Sequence, residues 1–149
     1  MKIGIIHELK LNLIFSLKNR KLLQIPKLNR MYFNKKELTL LYNGERVLDR
    51  KTLAMALTLG VKINRQDLTS VRLSETLFML FLNKLNIEPK ALFDKSHPYY
   101  QSELRGREYT APEWYEILLR KPELLRAPLA MYREKALMCT SPNDMLKMD

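Results

Sequence analysis

Glu37-Leu38-Thr39-Leu40-Leu41-Tyr42, followed by Asn43-Gly44, is the stretch on which the fold turns. Six residues rich in Leu, Thr and Tyr, ended by a turn pair, predict a buried strand. Downstream, Asp49 can cap a helix over residues 49–59, with Leu53, Ala56, Leu57 and Leu59 on its buried side. Gly60 then stands where a left-handed C-terminal cap belongs. Val61 and Ile63 alternate with Lys62 and Asn64, the period of a second strand. A strand, a helix of about three turns and another strand form a βαβ unit, so the two strands should be parallel.

Outward toward the C-terminus the pattern changes to helices. Ser74 is placed to cap a helix reaching about Asn86, with Leu73 and Phe78 spaced as a hydrophobic staple. Leu77, Phe78, Leu80, Phe81 and Leu85 make one wide apolar face, the pattern of core. Glu88-Pro89 opens a short helix to about Phe93, and residues 94–98 read as loop. Thr110-Ala111-Pro112-Glu113 matches a capping box with Pro in the first turn, predicting a helix to about Arg120 with Trp114, Ile117 and Leu118 inward. Pro122 opens another short turn, and Pro128 forces Ala127 into an extended conformation. Residues 128–132 and 135–139 are apolar runs separated by Arg133-Glu134, a β-hairpin. Ser141 is placed to cap a last helix through Met148. The order is βαβ, a helical insert over about 68–126, then ββα. The expectation is an α/β thioredoxin-like fold with a mixed four-stranded sheet and an all-helical insert.

Toward the N-terminus the composition shifts. Of 149 residues, 26 are Lys or Arg and 16 Asp or Glu, a net charge of +10. Residues 1–36 hold nine of the bases and one acid, a net of +8, leaving +2 for residues 37–149. Binding driven by counterion release needs clustered bases, so a nucleic-acid or anionic-membrane contact rests on residues 1–36 alone. His7, Glu8, Lys10 and Asn12 interrupt the apolar residues there, so they fall short of the ~20 that a membrane span needs. Nor is there a clean apolar stretch with a small-residue cleavage site. The expectation is a basic extension outside the fold, with Met31 the candidate start of the chain proper, and a cytoplasmic location. One Cys, Cys139, excludes an internal disulfide framework and a Cys-rich zinc site. His7 and His97 lie 90 positions apart, so no metal site is expected.

The stretch from Glu116 to Ala130, EILLRKPELLRAPLA, resembles the "nPxLLxRPiv" segment of the arsenate reductase-like thioredoxin-fold family (ArsC), which also contains the Spx transcription regulators. Lys135 to Pro142 is similar to that family's "kAviGrpp" ending, and Pro98-Tyr99-Tyr100-Gln101 to its "pyke" loop. Leu38–Asn43 and Arg50–Ala54 resemble its first strand and helix start. The likeness runs in order over residues 37–149. It implies a cis peptide between Ala127 and Pro128, at a strand edge where the family holds substrate. It also implies a nucleophilic Cys at the N-terminus of the first helix, where peptide N–H groups lower a thiol's pKa. The matching turn here, residues 43–49, has no Cys and carries Glu45 and Asp49. Asp94, Ala127 and Thr140 stand where the resemblance implies arsenate-holding arginines.

These departures point to a family relative without reductase activity, a protein-binding or regulatory module in the manner of the Spx branch. Its expected partner-facing rim is Asn43, Gly44 and Arg46 in the turn, Tyr99, Arg105 and Arg107 in the insert, and Pro128. No cofactor is expected on that reading. The alternative is a thiol-dependent oxidoreductase, arsenate reductase or glutaredoxin-like, using Cys139 as a relocated thiol with glutathione or a partner thiol. Against it, a lone Cys late in a strand is commonly a small buried residue. Arg105-Gly106-Arg107 could aim two guanidinium groups at a carboxylate or phosphate, or could be a solvated loop paired with Glu103 and Glu108. His97 is expected to hydrogen-bond within its loop.

Overall fold

The computed structural model describes residues 36–148, and the expectations placed on residues 1–35 lie outside the described residues. Strand β1 (Glu37–Tyr42) is followed by helix α1 (Val47–Leu57) and strand β2 (Lys62–Asp67). β1 and β2 pair in parallel, Glu37 beside Lys62 through Tyr42 beside Asp67. The hairpin strands β3 (Leu129–Tyr132) and β4 (Lys135–Met138) pair antiparallel, and β3 lies antiparallel to β1. The sheet order β2-β1-β3-β4 is the expected mixed four-stranded sheet of a βαβ unit joined to a ββα unit.

Period-2 alternation along β1 builds two cores. Leu38, Leu40 and Tyr42 point to one face, with Ala130 and Tyr132 of β3, Ala56 of α1, and Met145 and Met148 from a C-terminal 3₁₀ segment (Pro142–Met148). Leu41, Leu129 and Met131 point to the other, beneath helices α2 (Glu75–Leu85) and α3 (Ala111–Arg120). Ser74 caps α2 through its hydroxyl, which accepts the Leu77 N–H at 3.1 Å. Asn86, at φ 53°, closes its other end. Thr110 and Glu113 form the expected capping box, with the Thr110 N–H donating to the Glu113 carboxylate at 2.7 Å. The Tyr115 hydroxyl donates to the Leu73 carbonyl at 2.7 Å, tying α3 to the entry of α2. Trp114 is buried between Phe93, at 4.8 Å between ring centroids, and Tyr109, edge-on at 5.0 Å. That aromatic stack is the centre of the insert.

Several expectations need correction. Helix α1 begins at Val47 rather than 49, and Asp49 is not its cap; the residue in the cap position, Arg46, makes no side-chain cap bond. On α1, Ala56 is buried as expected, with Asp49 and Thr52, and Leu53 and Leu59 pack half-buried against the core, while Leu57 is exposed. The C-terminal 3₁₀ segment packs along α1 and sets which face is inward, and nothing in the local spacing of leucines reports that. Residues read as loop before Tyr100 run into a single π-helical turn, Tyr100–Leu104, which buries Tyr100 and Leu104. Short helices at Pro89–Leu92, Pro122–Leu124 and Pro142–Met148 are 3₁₀ segments. The Ala127–Pro128 peptide is trans. The chain enters β3 already held by a bridge between Phe93 and Leu125 and by the Cys139 N–H on the Pro128 carbonyl at 2.8 Å, compatible with the lower-energy isomer. Gly60 has the expected positive φ, 72°, just beyond α1. Among the described residues no helix is long and apolar enough to cross a membrane.

Candidate functional site at the start of the first helix

The turn between β1 and α1 lies at the end of the parallel pair, where a helix N-terminus presents backbone donors and the positive end of its dipole. The four backbone donors of the turn before the helix, Asn43 to Arg46, are engaged within the chain. The Asn43 N–H donates to Asp49 Oδ2 at 2.8 Å, and the Gly44 N–H to Asp67 Oδ1 at 3.0 Å. The Glu45 N–H donates to Asn43 Oδ1 at 3.0 Å, and the Arg46 N–H to the Asn43 carbonyl at 3.1 Å. Asp49 is fully buried, and its charge is matched by Arg46, whose Nε and Nη2 donate to the two carboxylate oxygens at 2.5 and 2.9 Å.

Arg46 also reaches across the molecule, its Nη1 donating to the Leu125 carbonyl at 2.6 Å. One guanidinium therefore joins the first turn of α1 to the segment leading into β3. Asp94 belongs to the same neighbourhood. Its carboxyl is held below the usual range mainly by the Ser96 hydroxyl, with the Ser96 N–H and the charges of His97 and Arg46 adding, against partial desolvation. The Asp94 N–H donates to the Leu124 carbonyl at 2.7 Å.

Asp67 sits at the end of β2 with its carboxylate against Gly44. A Cβ at position 44 would lie 2.2 Å from Asp67 Oδ2, so any side chain here would displace that carboxylate from its place. Desolvation works against ionisation of Asp67, but the Thr69 N–H and hydroxyl and the Gly44 N–H outweigh it and hold its pKa below the ordinary value.

Cys139 lies in the core on the α1 face of the sheet, with Ala56, Met145 and Met148. It is fully buried, with Sγ 3.6 Å from the Met145 thioether. Burial, then the charges of Asp144 and Asp49, pushes the thiol up to about 12. Nucleophilic thiols need the opposite environment, partly exposed and electropositive.

The expected rim residues divide. Asn43, Gly44 and Arg46 come together through Asp49 and Asp67, with Leu125 and Asp94 beside them. Asn43 and Pro128 are buried, so what the turn exposes is Glu45, Val47 and Arg50. Arg50 donates to the Gly44 and Glu45 carbonyls at 3.2 and 3.0 Å. Tyr99 lies under the Lys121 ammonium, 5.0 Å from the ring centroid. Arg105 and Arg107 are exposed with local contacts, Arg105 Nη1 to Gln101 Oε1 at 3.2 Å and the Arg107 N–H to the Leu104 carbonyl at 3.1 Å. Glu108 pairs with Lys90 at 2.8 Å, not with these arginines. His97 accepts the Tyr99 N–H through Nδ1 at 3.2 Å, a loop hydrogen bond. Sequence reasoning placed Asp49 in this turn as a helix cap rather than as the partner of Arg46, and missed Asp67. The available signal was an Asp in the first turn of α1 and an Asp-Leu-Thr run at the end of β2, each able to fold a carboxylate onto nearby N–H groups.

No family model and no curated protein matches the sequence. Solved structures do match. The arsenate reductase from Vibrio cholerae superposes with a TM-score of 0.66 at 16% identity, over 78% of this chain and 100% of its own. A Yersinia pestis protein named for arsenate reductase superposes at 0.65 and 20% identity, over 74% of this chain and 98% of its own. An ArsC-family-related protein from Bacteroides fragilis gives 0.59 at 14% identity, over 78% and 100%. Identities this low carry the fold: the chain has the α/β thioredoxin-like architecture of the arsenate reductase structures.

Proposed function

We propose that this chain is an arsenate reductase-like protein that has given up reductase chemistry and acts in the cytoplasm as a protein-binding or regulatory module. The observation that carries the reading is the filled turn at the start of α1. It has no thiol, and the N–H groups of Asn43, Gly44 and Glu45 donate to Asp49, Asp67 and Asn43 of the same chain. The one thiol of the sequence, Cys139, is buried in the core with its pKa pushed up to about 12. A nucleophile that stays protonated and shielded is poorly suited to attack arsenate or a mixed disulfide.

What remains is a rigid rim. Glu45 and Val47, the latter 56% exposed, stand at the start of α1, and Arg105 and Arg107 are exposed in the insert. A partner would meet a surface fixed by the Arg46 bridge, so binding would cost little ordering. No bound cofactor is part of this reading.

The test has two arms on the full chain. Purified protein is assayed for arsenate-dependent and glutathione-disulfide-dependent thiol oxidation, and the expected rate is that of buffer. Turnover that disappears in Cys139→Ser would establish the oxidoreductase alternative. Affinity capture from the native host, with and without residues 1–30, is expected to retain one protein partner in both forms and to lose it in Val47→Asp and Arg105→Glu variants. Binding that requires residues 1–30 and weakens steeply with salt would instead mark a basic-tail contact with nucleic acid or membrane.

A further inference from the structure

We infer that His97 is a pH-sensitive cap on the insert side of the rim: its neutral ring closes the helical run over residues 98–104, and the imidazolium cannot. The local geometry carries this. Residues 98 and 99 are already helical and lead into the π-helical turn Tyr100–Leu104. The His97 carbonyl accepts the Gln101 N–H at 3.1 Å, which puts His97 in the cap position. Pro98, in the first helical position, has no N–H, so Tyr99 is the first backbone donor in need of a partner. His97 Nδ1 accepts that N–H at 3.2 Å. A ring nitrogen accepts only when it carries no proton, so the contact assigns His97 the neutral tautomer with its proton on Nε2.

Protonation turns this acceptor into a donor facing another donor. Histidine ordinarily changes charge between pH 5 and 8, so the cap is present at the alkaline end of that range and lost at the acid end. The charged groups around the ring are Asp94 and Lys95 on its own loop, Arg46, whose charge reaches Asp94, and Lys121 over the Tyr99 ring. Asp94 is the only acid of these four, and its backbone carbonyl already accepts the His97 N–H at 3.2 Å. Its carboxylate is the partner toward which an imidazolium would turn. The Tyr99 ring carries the Lys121 ammonium at 5.0 Å and the run ends at Arg105, so the cap steadies the insert part of the expected rim. Its effect on a partner rests on the module reading; the cap itself does not.

The test follows ring nitrogens and backbone amides of the full chain by NMR between pH 8 and pH 5. His7 and His97 are the two histidines of the sequence, and His7→Gln leaves one imidazole to observe. At pH 8 Nδ1 of His97 should be bare and Nε2 protonated. As the ring charges, the Tyr99 amide should move along the same titration curve. It should also lose roughly fivefold of its protection from exchange, corrected for the intrinsic effect of pH, as befits one ordinary hydrogen bond. Asp94, held below the ordinary carboxylate range, keeps its charge through this window and does not share in the signal. His97→Asn, which keeps an acceptor oxygen that does not titrate here, should hold the Tyr99 amide protected and unmoved at both ends. A neutral ring with its proton on Nδ1, or a Tyr99 amide that ignores the ring's titration, would overturn the inference, and both are read with His97 in place. So would a Tyr99 amide that moves in His97→Asn as it does in the wild type. No partner enters these readings, so failure of the cap and failure of the module reading are separable.

Discussion

At the scale of single residues, Arg46 and Cys139 decide how the chain is understood. Arg46 covers the buried Asp49 charge with two parallel bonds, and it spans to Leu125 as well. Removing it leaves a carboxylate buried without its counter-charge, a change that costs about 3 kcal/mol. Arg46→Met should therefore lower the urea midpoint sharply. Arg46→Lys should recover only part of the loss, because an ammonium cannot reproduce the fork. An unchanged midpoint in Arg46→Met would show that the bridge holds nothing. Gly44→Ala should also destabilise, since its methyl group collides with the Asp67 carboxylate. For Cys139, a pKa pushed up to about 12 leaves roughly a thousandfold less thiolate near pH 8 than an ordinary thiol has. Labelling by a disulfide reagent under native conditions should be correspondingly slow and should accelerate to the normal rate in denaturant. Rapid native labelling would remove the burial argument.

At the scale of elements, helix ends were legible where a side chain closes them locally. Ser74 before α2 and the Thr110–Glu113 box before α3 act within three residues, so sequence spacing reports them directly. Thr110→Ala should cost about 1 kcal/mol, the usual worth of an N-cap. The single tryptophan gives the readout, since Trp114 lies in the following turn of α3. A variant melting at the wild-type temperature would show that packing of Trp114 against Phe93 and Tyr109 fixes this end unaided. Helix α1 was less legible because its start is held by partners from elsewhere. Its first-turn carboxylate folds back onto Asn43, and the turn before it is pinned by Asp67, 23 residues downstream of Gly44. The π-helical turn at Tyr100–Leu104 likewise follows from the burial of Tyr100 and Leu104 in the insert core, a demand that Tyr-Gln-Ser-Glu-Leu does not advertise.

At the scale of the whole molecule, acid should loosen the fold. Asp67, Asp94 and Asp144 all have carboxyl groups held below their ordinary range in the folded state. Asp67 owes this to Thr69 and Gly44 against desolvation, Asp94 first to the Ser96 hydroxyl, and Asp144 first to Lys147. A depressed folded pKa means stability fully present above the unfolded carboxylate pKa and lost as pH falls through the folded one. The urea midpoint should accordingly decline from about pH 4 downward, and the triple change D67N/D94N/D144N should flatten that decline; an unaltered slope would assign acid sensitivity to other groups. The alternation in β1, the turn pair at Asn43-Gly44, the two local caps and the hairpin across Arg133-Glu134 were determined by the sequence itself, because period, capping and turn chemistry act over a few neighbouring residues. The tertiary structure alone decided that Asp49 would be buried under Arg46, that Asp67 would close the turn at Gly44, and that Cys139 would lie in the core beside Met145. Those outcomes depend on which distant surfaces exclude water from a charge or a thiol, and local sequence spacing carries no record of that.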